Sequence, residues 1–322
     1  MKAIRVHAYG EPGVLVEDEI DVPQPGRGDA LVQIAASGVN YLDVQYRAGR
    51  IRTPPFPFTV GMEGAGVVTA IGPDVDTVRV GDRVASAMVL GSYAEYAVVP
   101  AARLVPVPDG VELTSAAAVL LQGMTAHYLT HSTFPLKAGD VALVHAAAGG
   151  LGLLVTQIAR LLGATVIGTV GTEAKARIAH EAGAHHVIVY TRDDFEAEVK
   201  RLTDGRGASA VYDSVGRDTF DKSLNSLRPR GGLALVGFSS GPVPPFDPAI
   251  LGVKGSLFLT RPGLNQHIAT REELLWRAGA VLQWLSAGEI SVRIDRVRPR
   301  AEAAAAHHAL EARQTIGKTI LV

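Results

Sequence analysis

The sequence of 322 residues predicts an α/β protein that combines a doubly wound parallel sheet with a second, β-rich region. Three observations lead to this prediction. Residues 141–260 alternate short apolar strands with helices, a pattern typical of a parallel sheet covered by helices on both faces. Residues 1–120 instead contain short strand patterns separated by Gly and Pro. The chain is also long enough for two domains, each with its own core.

The first 120 residues are predicted to form strands joined by loops. Residues 1–6 alternate in a strand-like pattern, and the loops at 23–26 and 53–57 contain prolines that break up any helical pattern. The sequence becomes rich in alanine and helical in character between residues 109 and 125, so we place a domain boundary there. Further strands are predicted at 30–36, 66–71 and 93–99.

The stretch Val141–Gly152 gives the strongest local signal. An apolar strand pattern leads into Ala147-x-Gly149-x-x-Gly152, which fits the dinucleotide-binding fingerprint with alanine in place of its first glycine. In such a turn the bare backbone approaches a pyrophosphate, and the N–H groups at the start of the following helix bind its charge. From Leu151 onward, apolar residues recur at helical spacing. The context of strand, turn and helix therefore predicts a nucleotide site.

The rest of this region continues the alternation. A ligand of a parallel α/β sheet is expected at the carboxyl ends of the strands. In this sequence those ends have small, glycine or hydroxyl residues, which let the backbone approach a ligand. Further strands are predicted at 164–169, 187–190, 208–213, 232–238 and 254–260, and helices at 172–182, 193–202 and 217–227.

After Pro262 the pattern changes again. Helices are predicted at 272–287 and 301–311, and strands at 292–297 and 318–322. The first of these helices is predicted to be amphipathic, with one apolar face formed by Leu274, Leu275, Ala278, Val281, Leu282 and Leu285. Because the parallel sheet already has its strands, we expect this tail to return to the first domain. The predicted domains are residues 1–122 together with 262–322, and residues 123–261.

Composition excludes several classes of function. The 31 Lys and Arg nearly balance the 32 Asp and Glu, so no general attraction to nucleic acid or membrane is expected. The absence of cysteine excludes disulfides, thiol catalysis and thiolate metal sites, and it fits a cytoplasmic location. The N-terminus lacks an apolar signal core.

Two catalytic motifs are also absent: neither a His-Glu-x-x-His zinc motif nor a Gly-x-Ser-x-Gly elbow occurs. These absences fit hydride chemistry, in which a nicotinamide supplies the reactive atom.

The end of the second strand of the nucleotide region favours NADP over NAD. An acidic residue there would hold the ribose hydroxyls of NAD, but the sequence runs Gly168-Thr169-Val170-Gly171-Thr172. Lys175 follows one helical turn later, and a cation with small neutral neighbours suits a 2′-phosphate. Glu173 opposes this interpretation unless it serves the helix dipole.

Six segments of the sequence form a recognisable set: Ala36–Asp43, Gly61–Gly66, Val80–Val84, Gln122–Ala126, Val144–Gly152 and Tyr212–Gly216. Together they resemble the medium-chain dehydrogenase/reductase superfamily, and within it the zinc-independent NADPH:quinone reductases of the ζ-crystallin type. The resemblance covers the whole chain. It implies a Rossmann nucleotide domain combined with a β-rich, GroES-like catalytic domain, and a homodimer formed through the nucleotide domain.

The sequence departs from the zinc alcohol dehydrogenases of this superfamily. Where that branch has a zinc-binding cysteine and histidine, the matching positions here are Ser37 or its neighbours and Met62. Without those ligands no zinc is expected to stabilise an alkoxide, so simple alcohol oxidation is not expected.

The resemblance also assigns roles to single residues. It implies that Asn40 lies near the nicotinamide and the substrate, and that Tyr46 contacts the substrate. It further implies cofactor contacts for Asn40, Thr125, Ala148, Gly149, Gly150, Leu151, Gly168, Thr169, Lys175, Tyr190, Ser214, Phe238, Ser239, Phe258, Leu259 and Arg313. Among these, the positions that match the surroundings of the 2′-phosphate are Gly168, Thr169, Lys175, Tyr190 and Arg313, which strengthens the choice of NADPH. The positions that match residues closing over the nicotinamide ribose and carboxamide are Phe238, Ser239 and the segment Phe258–Pro262.

The substrate remains open between two classes. Tyrosines often line the quinone site in this family, but the matching positions here are Gln45 and Ile51. The first hypothesis is an NADPH-dependent quinone reductase, with a proton from solvent, Asn40 or Tyr46. The alternative on the same scaffold is a 2-alkenal or enoyl reductase. A third hypothesis, from another class, is a non-catalytic NADPH-binding structural or RNA-binding protein of the crystallin kind.

Overall fold

The computed structural model describes residues 1–322 and divides into two compact units. The first unit comprises Met1–Met124 and Ile268–Val322, and the second comprises Thr125–His267. The limits expected from the sequence are 122/123 and 261/262.

Short strands dominate the first part of the chain, and strands and helices alternate from Val141 onward. The strands are β1 (Lys2–Val6), β2 (Leu15–Glu19), β3 (Asp29–Gly38), β4 (Phe58–Thr59), β5 (Glu63–Ile71), β6 (Arg83–Ala87), β7 (Tyr96–Pro100), β8 (Val105–Pro106), β9 (Val141–His145), β10 (Thr165–Val170), β11 (His186–Val189), β12 (Ala208–Asp213), β13 (Leu227–Leu235), β14 (Phe258–Thr260), β15 (Ile294–Arg298) and β16 (Lys318–Leu321). The helices are α1 (Tyr41–Arg47), α2 (Leu113–Tyr128), α3 (Gly150–Leu161), α4 (Glu173–Glu181), α5 (Phe195–Leu202), α6 (Phe220–Asn225), α7 (Ala249–Val253), α8 (Leu264–His267), α9 (Arg271–Ser286) and α10 (Ala303–Glu311).

The second unit contains the doubly wound sheet that the sequence predicts. Its six strands lie in the order β11-β10-β9-β12-β13-β14, and every neighbouring pair is parallel. The strand order reverses beside β9, which pairs with β10 on one side and with β12 on the other. Ligands of such sheets bind where the order reverses, at the carboxyl ends of the strands. The glycine turn after β9 lies at this point.

The first unit is built from two sheets. One has the order β2-β1-β4, and the other has the order β15-β16-β3-β5-β6-β8 with β7 paired to β3. The C-terminal tail supplies two of these strands. Ile320 lies opposite Gly38 and Leu321 opposite Ser37 in the antiparallel pairing of β16 with β3. The tail therefore returns to the first unit, as the strand count predicts.

Several predicted boundaries in the second unit were wrong. The helix expected at 217–227 forms only over Phe220–Asn225, because the Asp213 carboxylate accepts the N–H groups of Val215 and Gly216 and holds the preceding residues in a turn. The strand expected at 232–238 runs from Leu227 to Leu235. The strand expected at 254–260 is only Phe258–Thr260, since α7 and a turn precede it.

In helix α9, one residue that was predicted to lie on the buried face is exposed. Leu274, Val281 and Leu282 are buried, as the helical spacing predicts. Leu275 was assigned to the same face but is 37% exposed. It follows Leu274 by about 100° around the helix, which takes its side chain away from the core.

None of the helices combines the length and the apolar character that crossing a bilayer requires.

A buried arginine joins two helices of the first unit. Arg47, the last residue of α1, is 1% exposed, and its two terminal nitrogens donate to both carboxylate oxygens of Glu311 in α10 at 2.8 and 2.9 Å. Its Nε donates to the carbonyl oxygen of Gly10 at 3.1 Å. Glu311 itself is partly exposed. The bidentate pair therefore fixes the end of α1 against the C-terminal segment.

We expect the two partners of this pair to differ in their effect on stability. Glu311→Ala leaves a buried guanidinium without its counter-charge, which costs about 3 kcal/mol or more. Arg47→Met leaves a carboxylate that water can reach and fills the site with apolar volume, so the loss should be smaller. Thermal and urea unfolding of both variants measures the difference. Equal losses, or a larger loss for Arg47→Met, would contradict the assignment.

Candidate active site

The turn after β9 is arranged to receive an anion. Ala146 has a left-handed backbone with φ of 51°, and the N–H of Gly149 donates to the Ala146 carbonyl oxygen at 2.8 Å to close the turn. Helix α3 starts at Gly150, with no acidic residue in its first turn and no side chain capping it. The first N–H groups of a helix have no partner within the helix. Together with the helix dipole they bind negative charge.

Two glycines explain how alanine replaces the first glycine of the fingerprint. A Cβ on residue 168 would lie only 2.7 Å from the Cβ of Ala147, which is too close. Because Gly168 has no side chain, the neighbouring strand β10 leaves room for the methyl group of Ala147. A Cβ on Gly152 would lie 2.3 Å from the carbonyl oxygen of Ala146. Gly152 therefore allows α3 to begin directly against the turn, and Gly168 makes Ala147 tolerable.

The end of β10 has no carboxylate, as the sequence predicts. Thr172 caps α4 by accepting the N–H of Lys175, which lies in the first helical turn. The carboxylate of Glu173 forms an ion pair with Arg192. That pairing offsets the negative charge that opposed the NADP prediction. Arg192 was not identified from the sequence, although it lies two residues after Tyr190, which is half-exposed at the end of β11.

The ends of β12 and β13 are joined by backbone hydrogen bonds. The N–H of Val236 donates to the Asp213 carbonyl oxygen at 2.8 Å, and the N–H of Ser239 donates to the Ser214 carbonyl oxygen at 3.3 Å. Next to them, the Arg261 guanidinium stacks over the Phe238 ring at 4.7 Å. The predicted residues Ser214, Phe238 and Ser239 therefore belong to one group of connected turns.

The remaining predicted cofactor residues have varied environments. Thr169 is buried, and Thr125 on α2 is partly exposed. Phe258 and Leu259 lie on the edge strand β14, where the Phe258 ring is 59% exposed. In the first unit, Arg313 is exposed just after α10 and has a left-handed backbone with φ of 58°.

Asn40 in the first unit is locked by buried charges. Its Nδ2 donates to Glu63 Oε2 at 2.8 Å and to the Gly38 carbonyl oxygen at 3.1 Å, and its Oδ1 accepts from Lys318 Nζ at 2.7 Å. Lys318 also pairs with Glu63 Oε2 at 2.6 Å, and both side chains are at most 1% exposed. Both amide hydrogens of Asn40 are used within the protein. The amide therefore offers a ligand only the remaining lone pair of Oδ1.

Asp43 organises the residues next to Asn40. Its carboxylate accepts the backbone N–H of Asn40 at 2.8 Å, the backbone N–H of Met62 at 2.9 Å and the hydroxyl of Tyr93 at 2.9 Å. Burial raises the pKa of Asp43 to about 7, against the lowering effect of these donors. Asp43 therefore fixes the backbone at Asn40 and at Met62.

The hydroxyl of Tyr46, unlike the side chains of Asn40 and Asp43, makes no hydrogen bond within the protein. Burial and the nearby negative charge of Asp43 raise the pKa of this phenol. Among the predicted substrate-side residues, Tyr46 is therefore the one with an O–H group available to a ligand. Gln45, which precedes it on α1, is partly exposed.

The positions that match zinc ligands in the alcohol dehydrogenases have other roles here. Ser37 is buried and its hydroxyl donates to the Ser92 carbonyl oxygen at 2.5 Å, while Met62 lies in the core. No group of three or more His, Asp and Glu side chains is arranged to hold a metal ion.

The two charged residues that hold Asn40 could not be identified from the sequence. Glu63 and Lys318 are separated by 255 positions, so no local pattern links them. The available signal was a charged residue directly before the apolar part of each of two strands, at the first position of β5 and of β16. A charge in a buried strand needs a partner, and this points to a pair without saying which residues form it.

The chain matches two known domain families. Residues 26–109 match the alcohol dehydrogenase GroES-like domain, and residues 150–267 match the zinc-binding dehydrogenase family.

Relatives cover the whole chain. A quinone oxidoreductase of Pseudomonas aeruginosa is 42% identical over 100% of this chain and 99% of its own length. A 2-haloacrylate reductase of a Burkholderia species is 43% identical over 98% of this chain and 97% of its own length. The crystal structure of Escherichia coli quinone oxidoreductase complexed with NADPH is 38% identical, with a TM-score of 0.97 and full coverage of both chains. The chain therefore belongs to the medium-chain dehydrogenase/reductase superfamily, in the group of the quinone oxidoreductases.

Proposed function

We propose that this protein is an NADPH-dependent quinone oxidoreductase. The proposal rests chiefly on one observation: the phosphate-binding turn after β9 is followed by a strand, β10, that ends without a carboxylate and leads to Lys175. Similarity over the whole chain to quinone oxidoreductases, one of them solved with NADPH, supports it independently.

The residues of the turn fit a dinucleotide. Ala148, Gly149, Gly150 and Leu151 would hold the pyrophosphate, because the start of α3 has no acidic or capping side chain that competes for its N–H groups. When bound, NADPH supplies a hydride from C4 of its nicotinamide. The protein contributes orientation and a protected environment.

The 2′-phosphate is assigned to Lys175, Tyr190 and Arg313. A lysine and an arginine offer charge-assisted hydrogen bonds, and a guanidinium can bind a phosphate in bidentate fashion. The ion pair of Glu173 with Arg192 supports this assignment, because it compensates the one carboxylate close to Lys175 in sequence.

On the substrate side, we assign orientation to Asn40 and proton donation to Tyr46 or solvent. Asn40 has no amide hydrogen left to donate, so its role is to accept one hydrogen bond in a fixed direction. The unpartnered hydroxyl of Tyr46 is suited to meet a quinone oxygen that gains negative charge during reduction.

A second candidate, a reductase of conjugated carbonyl compounds, is favoured by residues in the second half of α1 and directly after it. Gln45 and Ile51 replace the tyrosines expected for a quinone site, and Arg50 and Arg52 flank Ile51 without forming an ion pair. A cation there suits an ionised acrylate. The Burkholderia relative, a 2-haloacrylate reductase, supports the same alternative.

A substrate panel separates these candidates. With NADPH, we expect kcat/KM to be highest for a quinone when 1,4-benzoquinone, 9,10-phenanthrenequinone, 2-alkenals and 2-chloroacrylate are compared. A value for an alkenal or for 2-chloroacrylate above that of every quinone would select the second candidate. Tight NADPH binding without turnover of any of them would indicate a non-catalytic binding protein.

Cofactor selectivity gives a separate prediction. Lys175→Ala and Arg313→Ala should each raise the Kd for NADPH by about 10-fold or more and leave the Kd for NADH nearly unchanged, because only NADPH has the 2′-phosphate. Fluorescence titration with both cofactors measures this. Lys200→Ala is the matched control, since Lys200 pairs with Glu196 on the surface of α5. Equal losses for both cofactors would refute the phosphate role.

We also propose a homodimer formed through the second unit, in a cytoplasmic enzyme. β14 is an edge strand paired only with β13, and two apolar residues on it and on the preceding helix α7 are strongly exposed, Phe258 at 59% and Val253 at 87%. An uncovered edge of this kind favours pairing with a second copy. The cysteine-free composition suits the reducing cytoplasm.

Light scattering coupled to size-exclusion chromatography tests the assembly. The expected mass is twice the chain mass of 33.8 kDa. Val253→Asp places a charge on the apolar surface and should shift the protein towards the monomer. Trp276→Asp is the control, because it changes an exposed aromatic residue of the first unit. A monomeric wild-type protein would contradict the proposal.

A further inference from the structure

Four buried polar side chains form a chain beneath the strand ends of the second unit. Thr169 Oγ1 lies 2.8 Å from His145 Nδ1, His145 Nε2 lies 2.9 Å from Ser223 Oγ, and Ser223 Oγ lies 3.0 Å from Asp213 Oδ2. Each residue is at most 2% exposed. The Phe195 ring packs edge-on against His145 at 4.9 Å. The four groups therefore depend on each other for hydrogen bonds.

The direction of each hydrogen bond follows from the chemistry. A carboxylate only accepts, so the single hydroxyl hydrogen of Ser223 is donated to Asp213. Ser223 Oγ must then accept from His145, which places the imidazole hydrogen on Nε2. His145 Nδ1 is left to accept the hydroxyl hydrogen of Thr169. Burial lowers the pKa of His145, which agrees with this neutral form.

At the other end, Asp213 organises a turn. Its Oδ1 accepts the backbone N–H groups of Val215 at 2.8 Å and Gly216 at 3.0 Å. Its Oδ2 accepts the hydroxyls of Thr219 at 2.7 Å and Ser223 at 3.0 Å. These four bonds set the backbone that follows Ser214.

The chain of bonds connects three strand ends. Thr169 is near the end of β10, on the side assigned to the adenosine 2′-phosphate. His145 ends β9 and immediately precedes the phosphate turn. Asp213 ends β12 and fixes the turn that contains Ser214. A shift of any one of these side chains leaves a buried donor or acceptor of its direct partner unsatisfied, which is costly in a low-dielectric interior, so the partner is expected to shift with it.

We propose that His145, Ser223 and Asp213 are positioning residues that couple the adenosine side of the dinucleotide site to its nicotinamide side. This inference rests on the proposed function, since it concerns a protein that binds NADPH. It adds that a ligand bound in one half of the site raises the affinity of the other half for its ligand. Ser223 is the link whose removal leaves both ends in place.

Two fragments of the cofactor test the coupling. Adenosine 2′,5′-bisphosphate probes one half of the site and reduced nicotinamide mononucleotide probes the other. In the wild-type protein, a saturating amount of the first fragment should lower the Kd of the second about fivefold or more. In Ser223→Ala this factor should fall to about one, because the bridging hydroxyl is lost. Calorimetric titration measures each Kd.

Ser226→Ala is the matched control. Ser226 is also fully buried beside α6, but its hydroxyl donates to the Lys222 carbonyl oxygen and lies outside the network. We expect both serine variants to lose similar thermal stability, and only Ser223→Ala to lose the coupling. If Ser223→Ala does not fold, His145→Gln cuts the neighbouring bond to Thr169 and should give the same loss.

The outcomes separate the two proposals. Failure of the wild-type protein to bind NADPH would overturn the proposed function. Tight NADPH binding with no coupling between the fragments, or with coupling that survives in Ser223→Ala, would overturn the positioning role alone.

Discussion

The second unit depends on one constraint: the ends of adjacent parallel strands must leave backbone open to a charged ligand and still satisfy their own buried polar groups. The turn after β9 meets the first requirement through the missing Cβ atoms of Gly152 and Gly168. Asp213 and His145 meet the second: Asp213 accepts the backbone N–H groups of the turn after β12, and His145 hydrogen-bonds to the buried hydroxyls of Thr169 and Ser223. The backbone that is free to bind a ligand and the hydrogen-bonded side chains therefore lie next to each other at the ends of the same strands.

In the first unit, buried polar groups fix the orientation of a single side chain. Asn40 is held by Glu63 and Lys318, a buried ion pair that leaves the amide one orientation. Replacing such a pair by apolar residues often costs little stability, so its retention is better explained by the geometry that it imposes. In the zinc-dependent relatives a metal is expected near this region. Here Met62 and Ser37 occupy the matching positions, and we propose that the fixed amide of Asn40 orients a substrate instead.

Much of the fold was predictable from the sequence because local patterns determine it. The alternation after Val141 predicted the parallel sheet, and the missing carboxylate after Gly168 predicted the cofactor preference. Predicted helix and strand boundaries were wrong where a side chain hydrogen-bonds to the nearby backbone and holds it in a turn, as Asp213 does before α6. The partners of Lys318 and Arg47 could not be predicted, since each lies more than 200 positions away and no periodicity links them.

The most direct measurement is a crystal structure of the protein with NADPH. The pyrophosphate should accept hydrogen bonds from the backbone N–H groups of Gly150 and Leu151 at the start of α3, and the 2′-phosphate should lie within hydrogen-bond distance of Lys175. A cofactor bound away from the turn after β9, or with its 2′-phosphate in solvent, would contradict the assignment of this site.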